Sequence, residues 1–178
     1  SMEEDDLNIV VSLGYDLSAE EKDEILNVFG VNENIQIINV TNEEEREYLN
    51  EYVKEDLIGT RSISSAYVKL LPEGSGISIK TYNINWVTKE MYMNALATAG
   101  VENAEVKVAA PVDVSGTAAL TGIIKAFEGA KGKSISEKRK RVANEEIART
   151  GKLGQEIGQM KATQLVQEIK EQIISNDV

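Results

Sequence analysis

The first sixty residues alternate between short apolar runs and amphipathic stretches. The apolar run over 8–13 ends at Gly14, and a second apolar run covers Ile35–Val40; each predicts a buried strand. Ser18 and Thr41 are each followed three residues later by a glutamate, the pattern of a capping box that begins a helix. The order strand, helix, strand, helix predicts a layered domain of helices on a sheet.

The middle of the chain has the spacing of extended structure. Residues 62–71 are rich in serine, tyrosine and valine, residues 77–83 alternate apolar and polar positions, and Pro72–Gly76 separates them. Two strands joined by five turn residues predict an antiparallel hairpin. Residues 105–110 alternate again, and Pro111 is expected to end that strand, because proline cannot donate to a ladder. The predicted fold class is α/β (or α+β), with a layered mixed β-sheet and flanking helices.

The last third of the chain reads as helical. Ser115–Thr117 is expected to begin a helix whose apolar residues, from Leu120 to Phe127, recur at helical spacing. After a glycine-lysine linker, a highly charged stretch and then an amphipathic stretch predict two more helices. We therefore expect a mixed α/β domain over 1–130 and a helical C-terminal appendage over 131–178. This appendage either packs back on the sheet or continues beyond this chain.

Composition narrows the chemistry that the protein can use. The chain has 178 residues, of which 42% are hydrophobic, and no histidine or cysteine. The length and apolar content suit a folded core and exclude disordered and low-complexity classes. The two missing residue types exclude histidine triads, cysteine nucleophiles, Cys/His zinc sites and disulfides. We therefore expect no cofactor and no metal centre, and we assign no catalytic residue. No apolar run approaches the ~20 residues needed to span a bilayer.

Charge is unevenly distributed along the chain. The net charge is −11, and the first sixty residues hold seventeen acidic against three basic side chains. Basic residues are concentrated between Lys131 and Lys152, with an unbroken run over Lys138–Arg141. We expect this run to be a solvated helix face, with a partner surface or an anionic envelope polymer as the alternatives. Nucleic acid is not expected as a partner, because the net field repels polyanions.

The first candidate anion-binding segment follows the second predicted helix. Thr60, Ser62 and Ser64 alternate, so in an extended chain their hydroxyls would share one face. Arg61 lies between them and could bind a carboxylate or phosphate through two parallel hydrogen bonds. The alternative is a helix end at Gly59, followed by a surface arginine and hydroxyls that bond the neighbouring backbone.

The second candidate segment contributes Asp113, Ser115, Gly116 and Thr117. A strand that feeds a helix N-terminus presents unpaired N–H groups and the positive end of the helix dipole. The segment lacks the glycine spacing of a P-loop or of a dinucleotide fold. Ser115 as an ordinary N-cap is the alternative. If the two segments meet at one pocket, they form an anion-binding site.

A run of glutamates is the third candidate. Glu43–Glu45 and Glu47 could contribute ligands for Ca²⁺ or Mg²⁺. Consecutive helical residues point about 100° apart, so they do not converge on one ion without further ligands. The favoured interpretation is that these carboxylates complement a helix N-terminus.

Several long motifs occur in order along the chain and carry a family resemblance. They are Val11–Ser18, Val40–Glu45, Gly59–Ala66, Tyr82–Ile84 with Trp86–Tyr92, and Ala109–Gly122. In these motifs the chain resembles the YpuA-like family of unknown function (domain of unknown function number 1002). The resemblance covers about residues 8–128 and is weaker over 131–178.

The resemblance implies an extracytoplasmic or secreted protein. Members of this family are mostly from Firmicutes, are typically longer, and usually begin with an export signal. The N-terminus here has no signal-peptide pattern, which implies that the chain is a trimmed version. The family supplies no activity and therefore no catalytic residue.

The expected function is that of a non-catalytic interaction or ligand-binding domain of the Gram-positive cell envelope. An envelope polymer, a peptide or a protein is the expected partner. The alternative is a hydrolase or transferase that acts on an anionic substrate through hydroxyl, carboxylate and arginine groups.

Overall fold

The chain folds into a mixed sheet with helices on both faces, which confirms the predicted α/β class. The structure is a computed structural model that describes residues 4–32, 34–54 and 58–176. The strands are β1 (Ile9–Gly14), β2 (Gln36–Val40), β3 (Ser65–Leu70), β4 (Ile77–Ile84) and β5 (Ala104–Val114). The helices are α1 (Ala19–Phe29), α2 (Asn42–Leu49), α3 (Lys89–Ala99), α4 (Ala119–Lys131), α5 (Glu137–Ile157) and α6 (Gln159–Asn176). A short 3₁₀ helix, Glu4–Asn8, precedes β1.

The strand order in the sheet is β2-β1-β3-β5-β4. The pairs β1/β2 and β4/β5 are parallel, and a helix connects the two strands of each pair, as a parallel connection requires. The pairs β1/β3 and β3/β5 are antiparallel. The central strands are therefore joined by distant parts of the chain.

The predicted hairpin of β3 and β4 is wrong, because β5 lies between these two strands. Strand β3 is buried on both faces over most of its length, whereas in β4 Ile79 is buried and the other residues are exposed or partly exposed. Strand β3 lies in the middle of the sheet, where β1 and β5 pair with its two edges. The strand β4, with its exposed positions, takes the edge of the sheet.

The prediction that Pro111 ends its strand is also wrong. Strand β5 continues to Val114, and the register between β4 and β5 shifts after Tyr82. The shift leaves residues 110–113 as a bulge, where a proline removes no ladder hydrogen bond. The side chain of Asn83, whose φ is +61°, donates to a carbonyl oxygen of this bulge at 2.9 Å.

Both predicted capping boxes are confirmed. The Ser18 hydroxyl accepts from the Glu21 amide at 3.1 Å, and the Glu21 carboxylate accepts from the Ser18 amide at 2.9 Å. The same reciprocal pair links Thr41 and Glu44 at the start of α2. Each box satisfies amides that have no partner inside the helix, so both helices start where the sequence indicates.

Helix α4 lies directly on the sheet with its N-terminus at the carboxyl end of β1. The Ser12 hydroxyl of β1 donates to the carbonyl oxygen of Gly122 at 2.8 Å. A Cβ on Gly122 would come within 3.0 Å of that same hydroxyl oxygen. The missing side chain therefore allows helix and strand to approach closely, which fixes where α4 begins relative to the sheet.

The two C-terminal helices pack back against other helices of the molecule. Ala143 and Ile147 of α5 belong to the main core. The Lys170 ammonium of α6 lies 3.1 Å from the Glu146 carboxylate and donates to the Thr98 hydroxyl at 2.7 Å. These contacts join α6, α5 and α3. The division of the chain into two domains stays a prediction.

The basic run at the start of α5 contacts acidic side chains of the same chain. Lys140 pairs with Glu128 at 2.9 Å, and the Arg141 guanidinium lies 3.9 Å from Glu47. Lys138 is exposed, as expected of a solvated face. Among the described residues, no helix is both long enough and apolar enough to cross a bilayer.

Candidate functional site

Three strand ends meet at one edge of the sheet. Strand β1 is parallel to β2, and both β1 and β5 are antiparallel to β3, so the carboxyl ends of β1, β2 and β5 point the same way. The N-terminus of α4 lies at this edge as well. In open α/β sheets, ligands bind outside the carboxyl ends of the strands.

The segment 58–64 crosses this edge and is fastened to the ends of two strands. The Ser62 amide donates to the Asp16 carboxylate at 2.7 Å, and the Asp16 amide donates to the Ser62 carbonyl at 3.0 Å. The Ser62 hydroxyl donates to the carbonyl oxygen of Val40 at 2.8 Å. A Cβ on Gly14 would lie 2.5 Å from the Ser62 carbonyl oxygen, so only glycine permits this crossing.

The loop between β5 and α4 differs from the expected N-cap. Helix α4 begins at Ala119, its N-cap residue is Ala118, and no side chain caps it. The Ser115 hydroxyl instead lies 3.2 Å from the Thr117 hydroxyl. The prediction that Ser115 begins the helix is therefore wrong, because Gly116 takes a left-handed φ of +92° and interrupts the helical path.

A buried tyrosine of α3 forms a hydrogen bond to the backbone of this loop. The Tyr92 hydroxyl donates to the carbonyl oxygen of Gly116 at 2.5 Å. Burial raises the pKa of Tyr92 far above its usual range, so the group stays a neutral donor. The backbone of the loop is thus anchored to α3.

A cavity of about 40 Å³ lies between the segment 58–64 and the β5–α4 loop. The residues around it come from both segments and from α2: Glu45, Ile58, Arg61, Ile63, Ser64, Val114, Ser115, Gly116, Ala118 and Ala119. The structure therefore brings the two predicted segments to one place. Four of the predicted residues line the cavity: Arg61, Ser64, Ser115 and Gly116.

The other four predicted residues do not line the cavity. Thr60 and Asp113 are exposed. Ser62 and Thr117 are buried, and their hydroxyls contact Val40 and Ser115. The predicted alternation of hydroxyls fails because β3 begins only at Ser65, so the segment before it is not a regular strand. Ligand binding by these residues stays a prediction.

Arg61 supplies positive charge at the rim of the cavity. Its side chain is exposed, and its guanidinium donates to the carbonyl oxygen of Asp16 at 3.1 Å. A guanidinium carries five N–H donors, so this bond leaves donors for an anionic ligand.

Glu45 is the lining residue that the sequence interpretation missed. It is only 1% exposed. Its Oε1 lies 3.5 Å from the side-chain amide nitrogen (Nδ2) of Asn42, and its Oε2 has no hydrogen-bond partner. A buried polar atom without a partner is uncommon in folded proteins and calls for a physical explanation.

Burial raises the pKa of Glu45 to about 8. The Asn42 amide and the Ser62 hydroxyl oppose this shift, whereas the charges of Asp16 and Glu44 add to it. Glu45 therefore carries a proton at neutral pH. A neutral carboxyl can donate a hydrogen bond as well as accept one.

The remaining glutamates of the acidic run behave as expected. Glu44 caps α2 and pairs with Lys125 at 2.9 Å, and Glu43 and Glu47 are exposed. In the part of the chain that the structure describes, no three acidic side chains come together in a way that could hold a metal ion.

Comparison with known proteins places the chain in a family. The sequence profile of the family described as "Protein of unknown function (DUF1002)" matches residues 13–178. The chain is 47% identical over 171 residues to "Uncharacterized protein YpuA" of Bacillus subtilis (strain 168). That alignment covers 96% of this chain and 59% of the relative, so the chain spans less than two thirds of the relative's length. No solved structure matches the chain significantly. The chain belongs to the DUF1002 family of proteins of unknown function.

Proposed function

We propose that the protein is a non-catalytic ligand-binding domain of the Gram-positive cell envelope. Its ligand is an anionic group of an envelope polymer, peptide or protein. The observation that carries the proposal is the cavity at which Arg61 and Ser64 meet Ser115, Gly116 and the N-terminus of α4.

The groups around the cavity favour an anion over a cation. The N-terminus of α4 lies at this edge and has no side-chain cap, so the positive end of its dipole is directed at the cavity. The hydroxyls of Ser64 and Ser115 are further hydrogen-bond donors, and Arg61 provides the countercharge at the rim. Binding at contact distance by these donors opposes the repulsion that the net negative charge exerts at long range.

The size of the cavity favours binding over catalysis. A volume of about 40 Å³ accommodates one functional group of a ligand. Hydrolysis of most ester, amide or glycosidic bonds needs a water and two groups that act as acid and base. Among the described residues that line the cavity, Glu45 is the acidic one, so a pair of carboxylates is not assembled there.

Replacement of the rim arginine tests the proposal. Arg61→Ala is expected to weaken binding of an anionic probe about tenfold or more, because a charge-assisted hydrogen bond contributes roughly 1.5–3 kcal/mol. Its melting temperature should change little, since exposed substitutions usually stay within about 0.5 kcal/mol. The measurement is calorimetric titration with acetate, inorganic phosphate and peptidoglycan fragments, after a thermal-shift screen.

Arg149→Ala is the matched control. Arg149 is also exposed and pairs with Glu145 on the surface of α5 at 2.6 Å, so its removal should leave binding unchanged. If Arg61→Ala lowers stability as much as it lowers binding, the residue is structural. If none of the probes binds the unaltered protein, the proposal fails.

Location outside the cytoplasm is part of the proposal. The supporting observation is the resemblance to a family whose members usually carry export signals. The full-length natural protein, produced in a Gram-positive host, is expected in the wall, membrane-surface or medium fraction. Its recovery with a cytoplasmic marker would contradict this part of the proposal.

A hydrolase or transferase is the second candidate. The favouring observation is the protonated Glu45 at a cavity shared with the Ser64 and Ser115 hydroxyls, since a raised pKa suits a general acid. Release of product from the peptidoglycan fragments during the titrations above would support this candidate over simple binding.

A further inference from the structure

We propose that a basic groove beside the loop between α4 and α5 docks an acidic segment of a partner protein. The groove has a volume of about 260 Å³ and is lined, among others, by Ala99, Phe127, Lys131, Lys133, Ile135 and Arg139. The described residues that line it are all different from those that line the cavity beside Arg61. The inference therefore adds a second binding surface and does not depend on the proposed function.

The floor of the basic groove is apolar and recessed. Ala99 and Phe127 are buried in the main core, and the half-buried Ile135 packs against that core. Of the described residues from 127 to 139, none is a large hydrophobic side chain that is exposed. A recessed apolar surface accommodates an inserted side chain, whereas binding to a lipid surface relies on apolar side chains that enter the bilayer.

Three cations surround this floor: Lys131, Lys133 and Arg139. All three are exposed, and within the described part of the chain none of their charged groups forms an ion pair or a hydrogen bond. A Cβ on Gly100, which also lines the groove, would lie 2.5 Å from Nη1 of Arg139. The guanidinium of Arg139 therefore lies against the wall of the groove with its donors available.

The acidic side chains that are close in sequence to these cations are engaged elsewhere. Glu128 accepts from the Ile135 amide at 2.8 Å and pairs with Lys140 at 2.9 Å. Glu137 accepts from the Tyr48 hydroxyl at 2.9 Å. The cations of the basic groove are therefore available to the carboxylates of a partner.

The helix ends at the basic groove do not cancel its positive charge. The C-terminal ends of α3 and α4 each contribute roughly half a negative elementary charge, and the N-terminus of α5 contributes a positive end. The three cations exceed this sum, so the groove stays locally positive in a protein whose net charge is −11. Charges more than about 8 Å away are largely screened at physiological ionic strength, so the local cations decide what binds.

An acidic protein segment that contains an apolar side chain matches both parts of the basic groove. Carboxylates of aspartate or glutamate pair with ammonium and guanidinium groups, most strongly when an arginine binds through two parallel hydrogen bonds. An aliphatic or aromatic side chain that enters the groove removes apolar surface from water. A polyanion without apolar groups would leave the floor of the groove exposed to water.

The test measures binding of a labelled peptide to the whole chain by fluorescence anisotropy. The probe is a synthetic peptide of glutamates around one central phenylalanine. Two matched probes with the same label replace the phenylalanine by serine or the glutamates by glutamine, and both should bind several-fold more weakly. Arg139→Glu should weaken binding of the first probe by about tenfold or more, because it replaces attraction by repulsion at the wall of the groove.

Lys138→Glu is the matched control. Lys138 lies beside Arg139 in the first turn of α5 and is exposed, but it does not line the groove. The same change of charge should therefore alter binding by less than about twofold. Arg61→Ala should also leave binding of the peptide unchanged, which separates the basic groove from the cavity beside Arg61. Lys133→Glu, in the exposed loop, provides a second variant of the groove if Arg139→Glu does not fold.

Each contrary result overturns a named part of the inference. Equal losses in Arg139→Glu and Lys138→Glu would show a general effect of charge and overturn the groove as the site. Equal binding of the serine probe would overturn the apolar contact. Tighter association with phosphatidylglycerol vesicles than with the peptide would overturn the protein partner. Loss of binding in Arg61→Ala alone would place the peptide at the other cavity, which supports the proposed function and overturns this inference. Absence of binding by the first probe overturns this inference and leaves the proposed function standing.

Discussion

The free energy of unfolding should fall by about 4 kcal/mol between roughly pH 5 and pH 8 because of Glu45 alone. Its pKa is raised from 4.5 to about 8 by burial, so the folded state binds the proton more tightly than the unfolded state. The contribution of Glu45 to the free energy of unfolding is therefore fully present at a pH below the pKa of this group in the unfolded state. It is lost as the pH rises from the unfolded pKa toward the folded pKa, because the carboxyl then ionises in the unfolded state while the buried carboxyl stays protonated.

Glu45→Gln isolates this effect from that of the other carboxyls. The variant removes the ionisation but keeps a polar side chain of the same shape, so its stability should not fall between roughly pH 5 and pH 8 through this group. At about pH 8.5 it should be more stable than the unaltered protein by several kcal/mol. Urea denaturation over the pH series measures the difference between the two proteins. Glu43→Gln, at an exposed position, should follow the unaltered protein, and equal slopes for all three would contradict the burial argument.

The capping boxes predicted where α1 and α2 begin, but local signals missed the start of α4 and could not predict the strand order. The Ser18 and Thr41 capping boxes depend on residues three apart, and both are present. The pairing of β3 with β5 joins residues such as Val68 and Val106, which are far apart in the chain. A turn-rich segment between two strands shows only that the chain reverses there. It does not show whether a third strand is inserted between them.

The convergence of two candidate segments followed from a general property of sheets. The segment that contains Arg61 precedes a strand, and Ser115 and Gly116 follow one, so antiparallel pairing brings them to the same edge. The residues that face the cavity could not be predicted in the same way. Ser62 and Thr117 turn to backbone and neighbouring hydroxyls, because the local path is irregular.

The sequence interpretation missed Glu45 because it considered the charge of the glutamate run and not the position of each glutamate around the helix. Glu45 lies four residues before Leu49, so both side chains lie on the same face of α2. Leu49 is fully buried, and that periodicity places Glu45 inside with it. As one of four neighbouring glutamates, Glu45 was interpreted only as an exposed carboxylate near a helix N-terminus. The four-residue spacing from the apolar Leu49 is therefore the signal that could have identified Glu45 as a buried residue.

Part of the charge asymmetry of the sequence is neutralised by ion pairs within the fold. Lys125 of α4 pairs with Glu44, and Arg141 of α5 reaches Glu47. The basic C-terminal half therefore neutralises part of the acidic helix α2, the helix that carries Glu45. Each exposed or half-exposed pair adds little to stability. They connect α2 to α4 and α5, while Lys138 of the basic run stays exposed to solvent.

Gly116→Ala is expected to destabilise the protein by roughly 3 kcal/mol through the loop that forms one wall of the cavity. The residue has a φ of +92°, a conformation that alanine adopts only with strain. An added Cβ would lie 2.4 Å from a methyl carbon of Ile84 and 2.5 Å from the Tyr92 hydroxyl oxygen. The loop would have to move away from α3, which would break the hydrogen bond from Tyr92 and open the cavity.

Gly132→Ala separates backbone strain from steric overlap. Gly132 also has a positive φ, of +72°, but nothing lies within 4 Å of a Cβ placed there. This control should cost about 1 kcal/mol from backbone strain alone. Urea denaturation measures both losses, and titration with acetate shows whether the Gly116 variant also loses binding while the Gly132 variant keeps it. If the two variants lose the same stability, the close approach of Ile84 and Tyr92 is not what requires glycine at this position.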